Sequence, residues 1–409
     1  MNGHVNRPPH PRASRSAVRR LAVSRLISVA GGAAAYTALM ATIFERTDGS
    51  AIWLSATLLL TFGIEGLVGP FAGHLSDRFD RRRVMLASEG AAALCFGAMA
   101  LAHDPAWLVG FAFLSAIAEA PFFSASRAAI PNVIDDPGQL AWANSWVSIG
   151  VNSGITIGPV LGGVLVASLG PSAVFGANAV TFLVSMALVW SVRRPFSGAR
   201  TEEEASEHHG VVAGFRFIRR DPVLLRITAA TAVMVLGLGM AMVADRPLAE
   251  RFGVGDQGFG LIISCWGGGS VIGSFLGRRL TEATERRWLV LGMAGISASA
   301  LAMGVSPVFW PILVFVLANG VADAIAIVAD QGIMQRRTPD VVRARVMSGS
   351  ETVAHIALAV GYGLAGPVLA LTSAQGLYVV AGISSGVATV ILLPLLARKE
   401  SVATVPVEG

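Results

Sequence analysis

Long apolar runs broken by short polar ones make up nearly the whole chain. A helix needs about 20 mostly apolar residues to cross a bilayer. By that measure the pattern predicts spans near 21–44, 51–73, 84–102, 106–130, 141–167, 172–192, 223–245, 258–277, 288–304, 308–333, 347–370 and 375–396. Gly and Pro inside these runs do not count against them, because membrane helices tolerate both. The polar remainder sorts into an N-terminal arm (1–20), a six-helix bundle (21–192), a linker (193–222), a second six-helix bundle (223–396) and a tail (397–409). The expected fold is an all-α membrane protein of twelve transmembrane helices.

Composition agrees. Hydrophobic residues make up 54% of the 409-residue chain and charged residues 14%, against roughly 25% charged in soluble domains. The mean hydropathy is +0.64. A net charge of +5 does not point to nucleic acid, because the basic residues sit in short clusters between apolar runs. Such clusters mark cytoplasmic loops. Cys95 and Cys265 both fall inside apolar runs and have neither metal-ligand nor disulfide spacing. The Arg-rich start before an apolar run resembles a signal peptide, but the run 21–44 is too long for one, so an uncleaved first helix is expected.

Twelve spans put both termini on one side. If that side is cytoplasmic, all of the 31 Lys and Arg except Arg46, Arg246 and Arg251 belong to it. The asymmetry follows the positive-inside rule and predicts a multi-pass cell-membrane protein with cytoplasmic termini. The segment from Arg193 to Arg220 carries Glu202, Glu203, Glu204, Glu207, His208 and His209, which read as a solvated linker face and not as a metal site. Val211 to Ile218 predicts a short amphipathic helix on the membrane surface.

The chain also repeats itself. Gly158-Pro159-Val160-Leu161 recurs as Gly366-Pro367-Val368-Leu369, and Pro131 and Pro339 keep the same offset. Phe44-Glu45-Arg46 has a counterpart in Ala244-Asp245-Arg246, and Gly73, Arg82 and Arg83 in Gly277, Arg286 and Arg287. Internal repeats of this kind are common in transporters.

The loop after the second span reads Gly73-His74-Leu75-Ser76-Asp77-Arg78-Phe79-Asp80-Arg81-Arg82-Arg83. It resembles motif A of the major facilitator superfamily, with Asp80 where Gly is usual. Gly154, Gly158, Pro159, Gly162 and Gly163 in the fifth span resemble motif C, associated with antiporters in that superfamily. Ser124-Ala125-Ser126-Arg127 through Ile130-Pro131, Ala143-Asn144, and Gln335-Arg336-Arg337-Thr338-Pro339-Asp340 with Arg343-Ala344-Arg345-Val346-Met347 resemble its macrolide-efflux and enterobactin-exporter branch. The resemblance implies two pseudo-symmetric six-helix bundles. The fourth span lacks the mid-helix Arg of the antiporter motif B.

By resemblance, Asp77 latches the two halves, with Arg127 as its expected partner and Gly73, Arg78, Arg81 and Arg82 completing the gate motif. The second copy has Thr281 in place of the acid, so no equivalent latch is expected there. Gly150, Gly154, Gly158 and Gly162 stand at steps of four and form a small-residue stripe, as do Gly269, Gly273 and Gly277 in the eighth span. Small residues let backbones approach closely, and by resemblance these two spans meet between the halves.

Charges inside spans are costly in lipid and usually face a cavity. Glu119, Asp323 and Glu65 are the candidates for a proton or substrate site. Glu119 lies roughly 18 Å along a helix before Pro131, near mid-membrane. A carboxyl there is desolvated, which favours its neutral form and suits proton carriage; alternatively it binds cationic substrate or pairs with Arg127. Asn319 and Asp330 share a face with Asp323, and Asp330 is expected to cap a helix or pair with Arg336. Glu89 reads as structural and His355 as a satisfied core residue.

These features predict a secondary transporter exporting an amphipathic small molecule, coupled to protons. An importer or facilitator on the same fold is the alternative. No G-x-x-x-x-G-K-[ST] loop for ATP, no H-E-x-x-H and no Ser/His/Asp set occurs. No catalytic residue, metal or cofactor is expected, no nucleic-acid partner either, and a monomer is the expected working unit in the lipid bilayer.

Overall fold

A computed structural model describes residues 11–64, 68, 72, 75, 78–134, 140–196 and 211–397. Its helices are α1 (Pro11–Arg46), α2 (Ala51–Leu58, running on as a π turn, Leu59–Gly63), α3 (Arg81–Leu101), α4 (Pro105–Val133), α5 (Leu140–Leu169), α6 (Pro171–Ser191), α7 (Val211–Arg220), α8 (Pro222–Arg251), α9 (Gly255–Gly277), α10 (Glu282–Val305), α11 (Phe309–Arg337), α12 (Asp340–Leu371) and α13 (Ala374–Leu392). A last turn of helix covers Pro394–Ala397. Eleven of the described helices are long and apolar enough to cross a membrane, and Ala51–Gly63 is a shorter apolar one. It starts on the face where α1 ends, whereas α3 starts on the opposite one. Arg46 at the end of α1 donates to the carbonyls of Ala102 (3.2 Å) and His103 (2.6 Å), beyond the end of α3. Arg20 near the start of α1 donates to the Ser191 carbonyl at 2.9 Å, at the end of α6.

Polar residues at the ends set the helix starts. Asp104 accepts from Ala106 N at 2.7 Å before Pro105, and Asp221 accepts from Val223 N (2.8 Å) and Leu224 N (3.2 Å) before Pro222. Each satisfies backbone donors that have no partner in the first turn. Asp80 accepts from Arg83 N at 3.0 Å. The residue that departs from the motif A pattern is therefore the N-cap of α3. Thr281, at the place of the second latch acid, forms a capping box with Thr284.

Packing repeats between the halves. The pairs α1·α5, α1·α6, α3·α4 and α3·α6 recur as α8·α12, α8·α13, α10·α11 and α10·α13. The halves join through α5·α9 and α2·α12. The outer wall is apolar. Leu94, Leu101, Leu371 and Val305 stand more than 70% exposed, as lipid-facing residues do, and Trp107, Trp190 and Trp310 stand exposed near helix ends.

Some boundaries differ from the sequence reading. α1 starts at Pro11 within the expected arm, and α8 runs six residues past the expected end of its span, to Arg251. Arg25, counted among the basic residues of the cytoplasmic side, is buried in α1 with its guanidinium 4.5 Å from the Phe123 ring centre. α7 does not lie free on the membrane surface. It packs on α12, its Ile218 is buried with Val346 and Leu224, and Gly214 rests on the Arg345 backbone. The apolar face that suggested a bilayer is covered by protein.

Candidate functional site

A cavity of about 180 Å3 lies mainly within the second half. α8 contributes Met234, Leu238, Ala241, Met242 and Asp245, which share one helix face at spacings of three and four. α11 contributes Val316, Asn319 and Asp323 on the same principle. Trp266 comes from α9 and Tyr378 from α13, while Tyr36 of α1 reaches in from the first half. The wall is almost wholly apolar, and among the described residues no Lys, Arg or His lines it.

The few polar groups converge. The Tyr378 hydroxyl donates to the Asp245 carboxylate. Asn319 donates its Nδ2 to the carbonyl of Ile296 (3.3 Å) and to Ser299 Oγ (3.0 Å). Asp323, one turn from Asn319, is 8% exposed. It has no hydrogen bond or ion pair with any described residue.

Aromatic and small residues close the cavity toward the face that carries Arg46. The Tyr36 ring meets Phe62 edge-on at 5.4 Å and Phe259 at 5.9 Å. Ser55 of α2 donates to the Tyr362 carbonyl of α12 and accepts from Gly366 N at 3.2 Å. Tyr362 donates to the sulfur of Met242, a cavity residue, at 3.2 Å. Arg246 is buried, with ion pairs of 2.8 Å to Glu250 and to Asp256. Its guanidinium stands 4.6 Å from the Phe44 ring centre in the other half.

The expected site residues fare differently. Asp323 lines the cavity. Glu119 does not; it lies half-buried in α4. Glu65, Gly73 and Asp77 lie outside the described residues, and so do His208 and His209. Arg127 is in α4, with its side chain outside the description. Arg78 lies 5.8 Å from the Phe79 ring. Arg82 donates to the carbonyls of Trp190 and Val192, the latter at 2.6 Å, and Arg81 donates to Phe196 O at 3.4 Å. Both arginines thus tie α3 to the end of α6 within one half.

The two glycine stripes also settle inside their own halves. A Cβ on Gly154, Gly158 or Gly162 would collide with Ala30 or Ala34 of α1, and one on Gly269 or Gly273 with Leu317 or Val321 of α11. The α5·α9 junction uses the other two motif C residues, Pro159 and Gly163, together with residues outside the stripes. Gly163 sits on the Asp256 backbone, Gly260 on the Pro159 carbonyl and Gly267 on Thr156. Asp330 has no ion pair with Arg336, which bonds Glu285 instead (Nε–Oε1 3.2 Å). Buried Glu89 accepts from Ser185 at 2.8 Å, and Ser185 meets Ser24 at 2.7 Å, joining three helices. His355 is half-buried, its Nδ1 2.8 Å from the Glu351 carbonyl.

Sequence reasoning passed over Asp245 and Tyr378. Asp245 stood at the expected end of a span, beside Arg246, and resembled a loop charge. A usable signal was present. The chain has only 3 tyrosines, and two of them, Tyr36 and Tyr378, line the cavity, while Tyr362 binds Met242 at its wall.

An all-helical membrane protein of two like-folded halves, with a largely apolar cavity lined mainly by the second half, has the architecture of a solute transporter. The chain matches the Major Facilitator Superfamily over residues 21–245 and again over 227–409, and it belongs to that superfamily. An uncharacterised MFS-type transporter of Mycobacterium tuberculosis is 30% identical over 319 residues, 69% of this chain and 68% of that protein. The multidrug efflux pump Tap of Mycolicibacterium fortuitum is 27% identical over 351 residues, 81% of this chain and 82% of Tap. The putative bacilysin exporter BacE of Bacillus subtilis is 21% identical over 331 residues, 80% and 82% of the two chains. Among solved structures, the nucleoside transporter NupG superposes with a TM-score of 0.71 at 13% identity, over 94% of this chain and 100% of NupG. A bacterial homologue of the human lysosomal transporter Spinster gives 0.69 at 15% identity, over 94% and 96%. Likeness at that level is likeness of fold.

Proposed function

We propose that this protein is a secondary active exporter, moving an amphipathic small molecule out of the cell in exchange for protons. The observation that carries the reading is the cavity, apolar apart from a few polar groups that include Asp245 and Asp323. It lies behind a layer of contacts between the halves. Undoing that layer and forming another on the opposite face is alternating access. Tap, named as an efflux pump, and BacE, named as a putative exporter, support the outward direction.

The cavity carboxylates replace Glu119 as the leading proton carriers. Asp245 and Asp323 line the cavity, so alternating access exposes them to each side of the membrane in turn and lets them load and release a proton. Motif A, with Asp77 as latch, serves the cytoplasmic gate. Both termini are cytoplasmic, the working unit is a monomer, and the solute leaves chemically unchanged, so the protein is a carrier and not an enzyme.

Everted membrane vesicles test the reading. An acid-inside gradient should drive accumulation of an amphipathic drug only in vesicles that contain the protein, and a protonophore should collapse it. Accumulation that survives the protonophore removes proton coupling. Transport in the reverse sense, solute moving with protons, establishes an importer.

A further inference from the structure

We infer that the cavity selects lipophilic cations, and that Asp323 is the group that receives the positive charge. The inference rests on the cavity being the transport site, and it adds the chemical class of solute.

Three observations carry it. The first is Asp323 itself, more than nine-tenths buried, facing the cavity, and without a partner among the described residues. A buried carboxylate is stable when it is neutralised or paired. Asp245, the other cavity acid, already accepts from Tyr378, so Asp323 is the one open for a ligand. The second is the absence of any basic residue from the lining among the described residues. An anionic solute would meet two acids and no counter-charge, and a neutral one would leave Asp323 unpaired. Specificity of this kind comes as much from rejecting the wrong partner as from holding the right one.

The third is the setting of the acid. Asn319 spends its amide N–H groups on Ile296 and Ser299. Its carbonyl oxygen is left one helical turn from Asp323, placed to share an N–H donor. Tyr36, Tyr378 and Trp266 line the same space, and aromatic faces attract cations through their quadrupoles. The remaining wall is hydrocarbon and thioether and suits a bulky apolar body.

Two ions of the same shape and opposite charge test the idea, tetraphenylphosphonium and tetraphenylborate. Calorimetric titration of the purified full chain in nanodiscs of neutral lipid needs no gradient and no transport. The wild type should bind the phosphonium saturably and the borate not at all. Asp323→Asn should weaken phosphonium binding by about tenfold or more, and Asp323→Glu should keep it within a few-fold. Asn319→Lys, which places a cation beside Asp323, should abolish phosphonium binding, and it serves if Asp323→Asn fails to fold. Equal binding of both ions, no saturable phosphonium binding, or unchanged affinity in the folded Asp323→Asn protein would overturn the inference. None of these results depends on transport direction or proton coupling, so the exporter reading stands or falls separately in the vesicle assay.

Discussion

Arg246 of α8 holds its guanidinium 4.6 Å from the Phe44 ring centre of α1, and so one half of the molecule grips the other. The arginine is anchored in its own half by Glu250 and Asp256, which leaves the Phe44 face as the part that must part when this side opens. A buried cation–π contact is worth roughly 0.5–2 kcal/mol. Phe44→Leu keeps the apolar bulk and removes the π face, so it should raise the population open on this side by about two- to thirtyfold. Spin labels on the exposed positions Asp48→Cys and Arg251→Cys, one in each half, report this as a longer distance population. An unchanged distance distribution would mean that the contact does not hold the face shut.

Asp323→Asn and Asp245→Asn should each abolish pH-gradient-driven efflux in vesicles, whereas Glu119→Gln should keep most of it. The reason is position, because Asp245 and Asp323 line the cavity and Glu119 does not. Loss of efflux in Glu119→Gln, with both aspartate variants active, would return the carrier role to Glu119.

Gly158 faces α1 so closely that an added Cβ would stand 2.5 Å from the Ala30 carbonyl oxygen and 2.7 Å from the Ala33 Cβ. Gly158→Leu should therefore force α1 and α5 apart and block transport. Overpacking costs typically 1–3 kcal/mol, and a thermal unfolding midpoint lowered by several degrees in detergent should accompany the loss. A variant with wild-type stability and transport would show that the two helices separate at no cost.

Reporter fusions after Arg83, Arg287 and Arg345 should read cytoplasmic, and one at Gly253 external. The expectation follows from the one-sided placement of basic residues. An external signal at Arg287 would invert or break the twelve-span arrangement.

The fold was legible because a membrane helix leaves its mark in every residue. Backbone groups in lipid must bond within the helix, so the side chains along the whole run are apolar and the run can be counted. The half-chain repeat was legible as well, and the structure returns it as the same helix pairs in both halves. Helix rotation was not legible. Glu119 and Asp323 look alike along the chain, and only packing turns one into the cavity. Asp245 was hidden because α8 runs on to Arg251 through charged residues that resemble a loop. The glycine stripes correctly signalled close approach, but spacing alone does not say which neighbour comes close. For Gly158 it was α1, not the eighth span.

Asp245 and Arg246 are separated by one peptide bond, and successive residues of an α-helix point about 100° apart. One looks into the cavity toward Tyr378, and the other clasps Phe44 at the rim. α8 is thus built like a camshaft, with adjacent lobes bearing on two different parts. A turn of a few tens of degrees about its axis cannot move the acid without moving the clasp. News of what occupies the cavity need not travel through a chain of intermediaries to reach the rim, because sensor and clasp are machined on the same rod.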